Sequence, residues 1–184
     1  MRQLSMKYVG GRLPVRENEG YRIRNYCAED YEKMLDALTA LTIKRYTSEE
    51  LDSVILCKKG VRPESVFVAD DGNKLLGTAT GYTHEPDGDK PGDDGGTLHM
   101  VSALPEAAGR GVGTAVCTAA VNYLLDSGCS YVDLTTDDFR LNAIVVYTKL
   151  GFRPVIDDDE MQQRWSALAE KLGRPELIGE AWRL

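Results

Sequence analysis

The chain has 184 residues, of which 42% are hydrophobic and 28% charged, and its formal net charge at pH 7 is −7. This length and composition predict one globular domain with a full hydrophobic core. The negative charge argues against a nucleic-acid-binding protein and favours a cationic or neutral substrate, and no apolar run approaches the length that crosses a membrane.

The four cysteines form no Cys-x-x-Cys pair and lie in apolar or helical contexts, which is typical of free thiols in a reducing compartment. The first 20 residues contain no apolar core of the signal-peptide type. We therefore expect a cytoplasmic protein with no membrane partner.

Residues 1–20 show little periodicity and carry Gly10-Gly11 and Pro14. We interpret them as an N-terminal arm or an extra hairpin in front of a single domain over residues 21–184. Tyr21–Tyr26 alternates and predicts a first strand. Helical spacing of apolar residues predicts a helix over 28–41.

A second helix is predicted from Ser48, its expected N-cap, to about residue 58. Strands over 65–69 and 74–82 then flank a hairpin turn, Asp70-Asp71-Gly72-Asn73. Residues 85–96 form a polar loop with four aspartates. This loop lacks the distal Glu that a calcium loop needs, so we expect no metal.

The next segment predicts a strand, a glycine turn and a helix. The strand is Leu98–Leu104, closed by Pro105, and the turn is Ala108-Gly109-Arg110-Gly111-Val112-Gly113-Thr114. A helix is expected from about residue 112 to 127. Glycine permits positive φ, and the first N–H groups of a helix have no internal partner, so the turn suits a phosphate.

The turn matches neither of two common phosphate loops. A Walker loop would need Gly-Lys-Ser/Thr where Gly113 and Thr114 stand, and a dinucleotide fingerprint would need a third glycine at Thr114. A plain glycine-rich helix start therefore stays open as an alternative at this point.

After that helix, Tyr131–Thr135 predicts an interior strand reached by a right-handed parallel crossover. A short helix over 143–150 ends at Gly151, and a last strand starts at Arg153. A final helix carries one apolar face, and only residues 176–184 then remain to supply a partner strand at the carboxyl end.

Two stretches resemble the GNAT N-acetyltransferase superfamily. Pro105-Glu106 and Gly111-Val112-Gly113 match the family's first motif, although Ala108 stands where the family usually has Arg or Gln. The run from Asn142 to Phe152 is similar to the family's Ala-Ile-x-Leu-Tyr-x-x-x-Gly-Phe signature. The resemblance covers roughly residues 21–155.

The resemblance implies an α/β fold with a mixed, mostly antiparallel central sheet, a splayed parallel strand pair and flanking helices. It implies acetyl-CoA as co-substrate and direct transfer of the acetyl group to a primary amine of a small molecule or peptide. Homodimers are frequent in the family, so a homodimer is a further expectation.

The family's site residues carry over by position. Tyr147 matches the general acid, and His99 lies on the strand where some members place a base, with Glu85 as a weaker alternative. Asn142 either touches the CoA arm or only caps its helix. The expected acetyl-CoA-binding residues are Ser102, Ala103, Leu104, Gly109, Arg110, Gly111, Val112, Gly113, Thr114 and Asn142.

Two other functions stay open on the sequence. One is a non-catalytic module that binds acyl-CoA as a sensor or scaffold, which the missing side chain at Ala108 weakly favours and Tyr147 opposes. The other is a phosphate- or nucleotide-binding domain unrelated to CoA.

Overall fold

A computed structural model describes residues 2–17, 19–39, 46–86 and 92–183. Its eight strands form one sheet in the order β2-β3-β4-β5-β6-β1-β7-β8. The strands are β1 (Leu4–Tyr8), β2 (Arg22–Asn25), β3 (Val61–Asp70), β4 (Leu75–Thr83), β5 (Gly95–Ala103), β6 (Tyr131–Thr136), β7 (Arg153–Ile156) and β8 (Trp182–Arg183).

The sheet is mixed. Neighbouring strands run antiparallel except β5 with β6 and β7 with β8, which are parallel. This arrangement confirms the expected fold class, a mostly antiparallel sheet with a parallel pair at its centre. The hairpin turn between β3 and β4 is also confirmed, although both strands run beyond the predicted ends.

The α-helices are α1 (Tyr31–Thr39), α2 (Ser48–Leu51), α3 (Val112–Asp126), α4 (Leu141–Lys149), α5 (Asp159–Leu172) and α6 (Glu176–Gly179). Short 3-10 helices occupy Ala28–Asp30 and Pro105–Ala107, and a π-helical turn, Asp52–Leu56, continues α2. None of the described helices has the length and apolar character needed to span a membrane.

The N-cap of α2 is Thr47, so the prediction of Ser48 is wrong by one residue. The Thr47 hydroxyl accepts from the Glu50 N–H at 3.2 Å, and the Glu50 carboxylate accepts from the Thr47 N–H at 3.0 Å. Only Thr47 has a glutamate three residues later that can complete this reciprocal pair.

The N-terminal segment is neither a free arm nor an extra hairpin over residues 4–8. Strand β1 lies between β6 and β7 and pairs antiparallel with both. Leu4 and Met6 have no exposed surface. The segment after Glu176 supplies α6 and the two-residue β8, which pairs with the far edge of β7.

Helices cover the two faces of the sheet differently. Val66 and Val68 of β3 pack with α1 and α2, whereas Ala69 belongs to the larger core with α3, α4 and α5. Alternate residues of one strand thus face separate cores. On the α1–α2 face, the half-buried side chains of β6 and β1 line a cavity instead.

Candidate active site

The two parallel strands separate halfway along their length. β5 and β6 pair at three positions, the last joining Thr97 and Asp133. On its other side, β5 has an extra residue: Ala79 of β4 faces both Met100 and Val101. This β-bulge, where Met100 has a φ of 45°, bends β5 away from β6 and opens a cleft beyond Thr97.

The cleft leads into a cavity of about 730 Å³. Its walls come from six strands and from α1 and α4, so that it crosses the sheet from β4 to β8. Among the lining residues are Ser5, Lys7, Thr97, His99, Val101, Ser102, Asp133, Thr135, Arg140, Tyr147, Val155 and Trp182.

The glycine turn sits at the start of α3. Gly109 and Gly111 have φ values of 79° and 78°, which L side chains rarely adopt. The first helical bond of α3 runs from the Ala115 N–H to the Gly111 carbonyl. Within the described residues, five N–H groups at this end donate no hydrogen bond: those of Gly109, Gly111, Val112, Gly113 and Thr114. A 15-residue helix adds its positive dipole end, so the turn is an anion-binding nest.

Arg110 holds this turn in place. Its N–H donates to the Ala107 carbonyl at 3.2 Å, and its guanidinium donates to the Gly20 carbonyl at 3.1 Å. The Tyr21 hydroxyl donates to the Arg110 carbonyl at 3.1 Å. Arg110 thus ties the nest to the start of β2, whereas the five free N–H groups face away from these bonds.

Leu104, one of the expected acetyl-CoA-binding residues, has no N–H available for a ligand, because this group donates to the Leu76 carbonyl at 2.8 Å. Bonded and non-bonded pairs alternate along an antiparallel ladder, so Ala103 directs its N–H away from β4 and toward the cleft. Ser102 lines the cavity, and its hydroxyl is buried and has no partner in the described residues. Ser102 and Ala103 therefore offer polar atoms to a ligand in the cleft.

Tyr147 points its hydroxyl into the cavity from α4. The residue is 6% exposed, and its ring packs against Phe152 at 6.1 Å between centroids. Among the described residues the hydroxyl has no hydrogen-bond partner. Burial raises the pKa of Tyr147 above its ordinary value, so the group stays protonated at neutral pH and has a proton to donate.

His99 lies on β5 at the edge of the same cavity. Its Nε2 lies 2.9 Å from the Val54 carbonyl oxygen, which can only accept, so Nε2 carries the proton and Nδ1 keeps a lone pair. Burial lowers the pKa of His99 and outweighs that hydrogen bond. The ring is therefore a neutral base at neutral pH.

The acetyltransferase (GNAT) family model matches residues 31–152, more than half of the chain. The chain belongs to the GNAT acetyltransferase family. The turn at the start of α3 and the α4 tyrosine both fall inside the matched range.

Curated relatives and solved structures agree with this assignment. The chain is 27% identical to a mycothiol acetyltransferase of Nocardioides sp. (strain JS614) over 86% of this chain and 59% of that protein. It is 35% identical to a mycothiol acetyltransferase of Rhodococcus jostii (strain RHA1) over 47% of this chain and 28% of that protein. A GCN5-related N-acetyltransferase from Sphaerobacter thermophilus superposes with a TM-score of 0.64 at 17% identity, covering 83% of this chain and 49% of that one. The chain thus spans less than two thirds of the length of these relatives.

Two further residues that the sequence predicted for the site of this GNAT domain, Asn142 and Glu85, do not line the cavity. Asn142 is exposed in the first turn of α4, whose N-cap is Arg140, so the alternative of a capping Asn142 is wrong. Glu85 forms an ion pair with Arg62. Among the described residues, no group of three or more His, Cys, Asp or Glu side chains could hold a metal ion.

The sequence analysis missed a polar chain at the apex of the cleft. His84 contacts Asp93 and Thr97, and Thr97 contacts Asp133. The only available signal was Asp133 itself, an ionisable residue inside an apolar strand. Its neighbours follow from the parallel register, which the sequence alone does not show.

Proposed function

We propose that this protein transfers an acetyl group directly from acetyl-CoA to a primary amine. One observation carries the proposal: the anion-binding nest lies next to Ala103 of β5 and Val146 of α4, and the following residue of α4, Tyr147, lines the cavity with a protonated hydroxyl. Family membership supports acetyl-CoA as the donor.

The described residues fit acetyl-CoA. Its diphosphate would be held by the five free N–H groups, which supply donors and the helix dipole without a side-chain charge. The Ala103 N–H and the orphaned Ser102 hydroxyl are suited to the amide-bearing arm between β5 and β6. The bend at Met100 directs this edge of β5 toward the cavity, where the acceptor would meet the thioester.

Two groups serve the chemistry. When the amine nitrogen bonds to the thioester carbon, the nitrogen must release a proton, and His99 Nδ1 has the free lone pair to take it. When the carbon–sulfur bond breaks, sulfur gains negative charge, and the Tyr147 hydroxyl can donate to it. Such proton transfers contribute about 10²–10⁴-fold each.

The experiment measures thiol release from acetyl-CoA with a panel of alkylamines, amino sugars and peptides. Because the matched relatives are named for mycothiol, amines related to mycothiol belong in the panel. Tyr147→Phe should lower kcat about 10²-fold and leave the KM for acetyl-CoA within about twofold. The hydroxyl has no partner in the described part of the chain, so its removal should not destabilise the fold.

The matched control is Tyr123→Phe, which makes the same change on α3, where the ring packs against Phe67 outside the cavity. It should keep wild-type kcat. Tight binding of acetyl-CoA without thiol release from any amine would contradict the proposal and indicate a non-catalytic acyl-CoA-binding module. A larger thermal shift with ATP or NAD than with CoA would indicate a nucleotide-binding domain.

A further inference from the structure

We propose that Asp133 binds the acceptor as its ammonium ion, and that Thr97 and His84 form with Asp133 a proton relay leading to Asp93 at the surface. The inference rests on the proposed acetyl transfer and extends it to the protonation state of the acceptor.

Four side chains make an unbroken chain of short contacts. The Thr97 hydroxyl lies 2.6 Å from Asp133 Oδ1 and 2.8 Å from His84 Nε2, and His84 Nδ1 lies 2.7 Å from Asp93 Oδ1. Asp133 lines the cavity, whereas Asp93 is 55% exposed. The chain thus joins the cavity to solvent across β5.

This hydrogen-bond network holds one proton more than the Thr97 hydroxyl and a neutral His84 supply. Three contacts need three protons, yet Thr97 brings one and a neutral His84 brings one. With both carboxylates ionised, one contact would set two lone pairs against each other at under 3 Å. The third proton can sit on Asp133, on His84 or on Asp93, but the hydrogen bond from the Gly95 N–H lowers the pKa of Asp93 and disfavours that site. Reversing the Thr97 hydroxyl moves the proton between Asp133 and His84.

Charges of both signs face Asp133: Lys7 lies opposite it in the sheet and favours the ionised carboxylate, whereas Asp93 opposes ionisation. Lys7 lies with its Nζ 3.7 Å from the centre of the Tyr131 ring, and the Tyr131 hydroxyl donates to Asp93 at 3.0 Å. The Tyr131 hydroxyl also lies 3.4 Å from His84 Nδ1. His84 Nε2 lies 3.8 Å from Asp133 Oδ2, which leaves the cavity side of that carboxylate for a ligand.

The other acids of the cavity are already paired with arginines. Asp137 accepts from Arg140, and Asp157 accepts from Arg2, both through short hydrogen bonds. Asp133 has no arginine partner in the described residues. Burial raises the pKa of Asp133 and outweighs the Thr97 hydrogen bond, which brings the group closer to proton exchange at neutral pH.

The proposed step balances. An ammonium binds at Asp133. Its N–H bond breaks and the lone pair stays on nitrogen while the network takes up that proton through Asp133 and releases its extra proton to solvent past Asp93, so the network again holds three protons. An ammonium must lose two protons to become an amide; the relay takes the first and His99 takes the second.

The test compares Thr97→Val with Thr97→Ser, using the amine that wild-type protein acetylates fastest. Valine keeps the branched shape of threonine but breaks the relay, whereas serine keeps the hydroxyl. At pH 7, Thr97→Val should lower kcat/KM for the amine about 10²-fold, with the KM for acetyl-CoA within about twofold. Thr97→Ser should recover to within about threefold of wild type.

The pH dependence separates this role from a structural one. The deficit of Thr97→Val should shrink as the pH rises to the pKa of the amine, about 10 for an alkylamine, because the neutral amine needs no first deprotonation. His84→Gln replaces Thr97→Val if the valine variant does not fold, with the same expected deficit.

Three results would overturn the relay and leave the proposed function standing: wild-type kcat/KM in Thr97→Val, an equal loss in Thr97→Ser, or a deficit that does not change with pH. Absence of thiol release from wild-type protein with every amine would overturn both proposals.

Discussion

The position of β1 inside the sheet predicts that its inward side chains hold the fold together. Met6 has no exposed surface and lies opposite Leu134 of β6 and Pro154 of β7. Truncating a fully buried methionine to alanine costs about 2–5 kcal/mol, from lost transfer energy and the cavity left behind. For a chain of this size each kcal/mol moves the melting temperature by about 2–4 °C. At a cost of about 3 kcal/mol, we expect Met6→Ala to melt about 6–12 °C below wild type.

The control is Ser5→Ala, one residue earlier and on the opposite face of the same strand. Ser5 is half-buried in the cavity wall, so its loss should change the free energy of unfolding by less than about 0.5 kcal/mol. Thermal and urea unfolding of both variants, followed by circular dichroism, give the comparison. Equal melting of Met6→Ala and wild type would refute the placement of β1 between β6 and β7.

Two further predictions concern the nest and the acid stability. Gly111→Ala should lower stability by about 1–2 kcal/mol, because Gly111 has positive φ, whereas Gly113→Ala, with ordinary contacts, should keep stability while weakening CoA in isothermal titration. Arg24→Met should destabilise by about 3–5 kcal/mol at pH 7, since Arg24 bonds the buried Asp30 and Asp70 at 2.7 and 2.9 Å. The hydrogen bond from Arg24 holds the pKa of Asp30 below its ordinary value, so this stability is present above the unfolded carboxyl pKa of about 4 and is lost as the pH falls. The gap between Arg24→Met and wild type in urea unfolding should therefore narrow from pH 7 to pH 3; a constant gap would contradict the pairing.

Local chemistry made the glycine turn predictable. The positive φ at Gly109 and Gly111 and the free donors at the start of α3 follow from glycine and from helix geometry, which a short sequence window contains. Tyr147 could be placed because its motif lies on one short helix. The amide of Leu104 could not, because its partner, Leu76, belongs to another strand.

The position of β1 could not be predicted for a related reason. Leu4, Met6 and Tyr8 alternate over only five residues, and such a run does not state which strands it joins. The resemblance to the family also placed the closing strand at the carboxyl end, so residues 1–20 were not expected in the sheet. Tyr8 pairs with Val132 and Ser5 with Val155, and pairing over such distances along the chain is decided by the fit of the whole sheet. A short sequence window therefore predicts the strand but not its neighbours.

The side chains of β1 alternate between the cavity on one face of the sheet and the hydrophobic core on the other. Ser5 and Lys7 line the cavity, whereas Leu4 and Met6 fill the core on the other face. A slip of one residue would exchange these faces, burying the Lys7 ammonium and exposing Met6, so the register is strongly fixed. The core residues of β1 therefore also fix the position of its cavity-lining residues. In the proposed reaction we therefore expect substitutions at Ser5 and Lys7 to change the choice of acceptor without changing the fold.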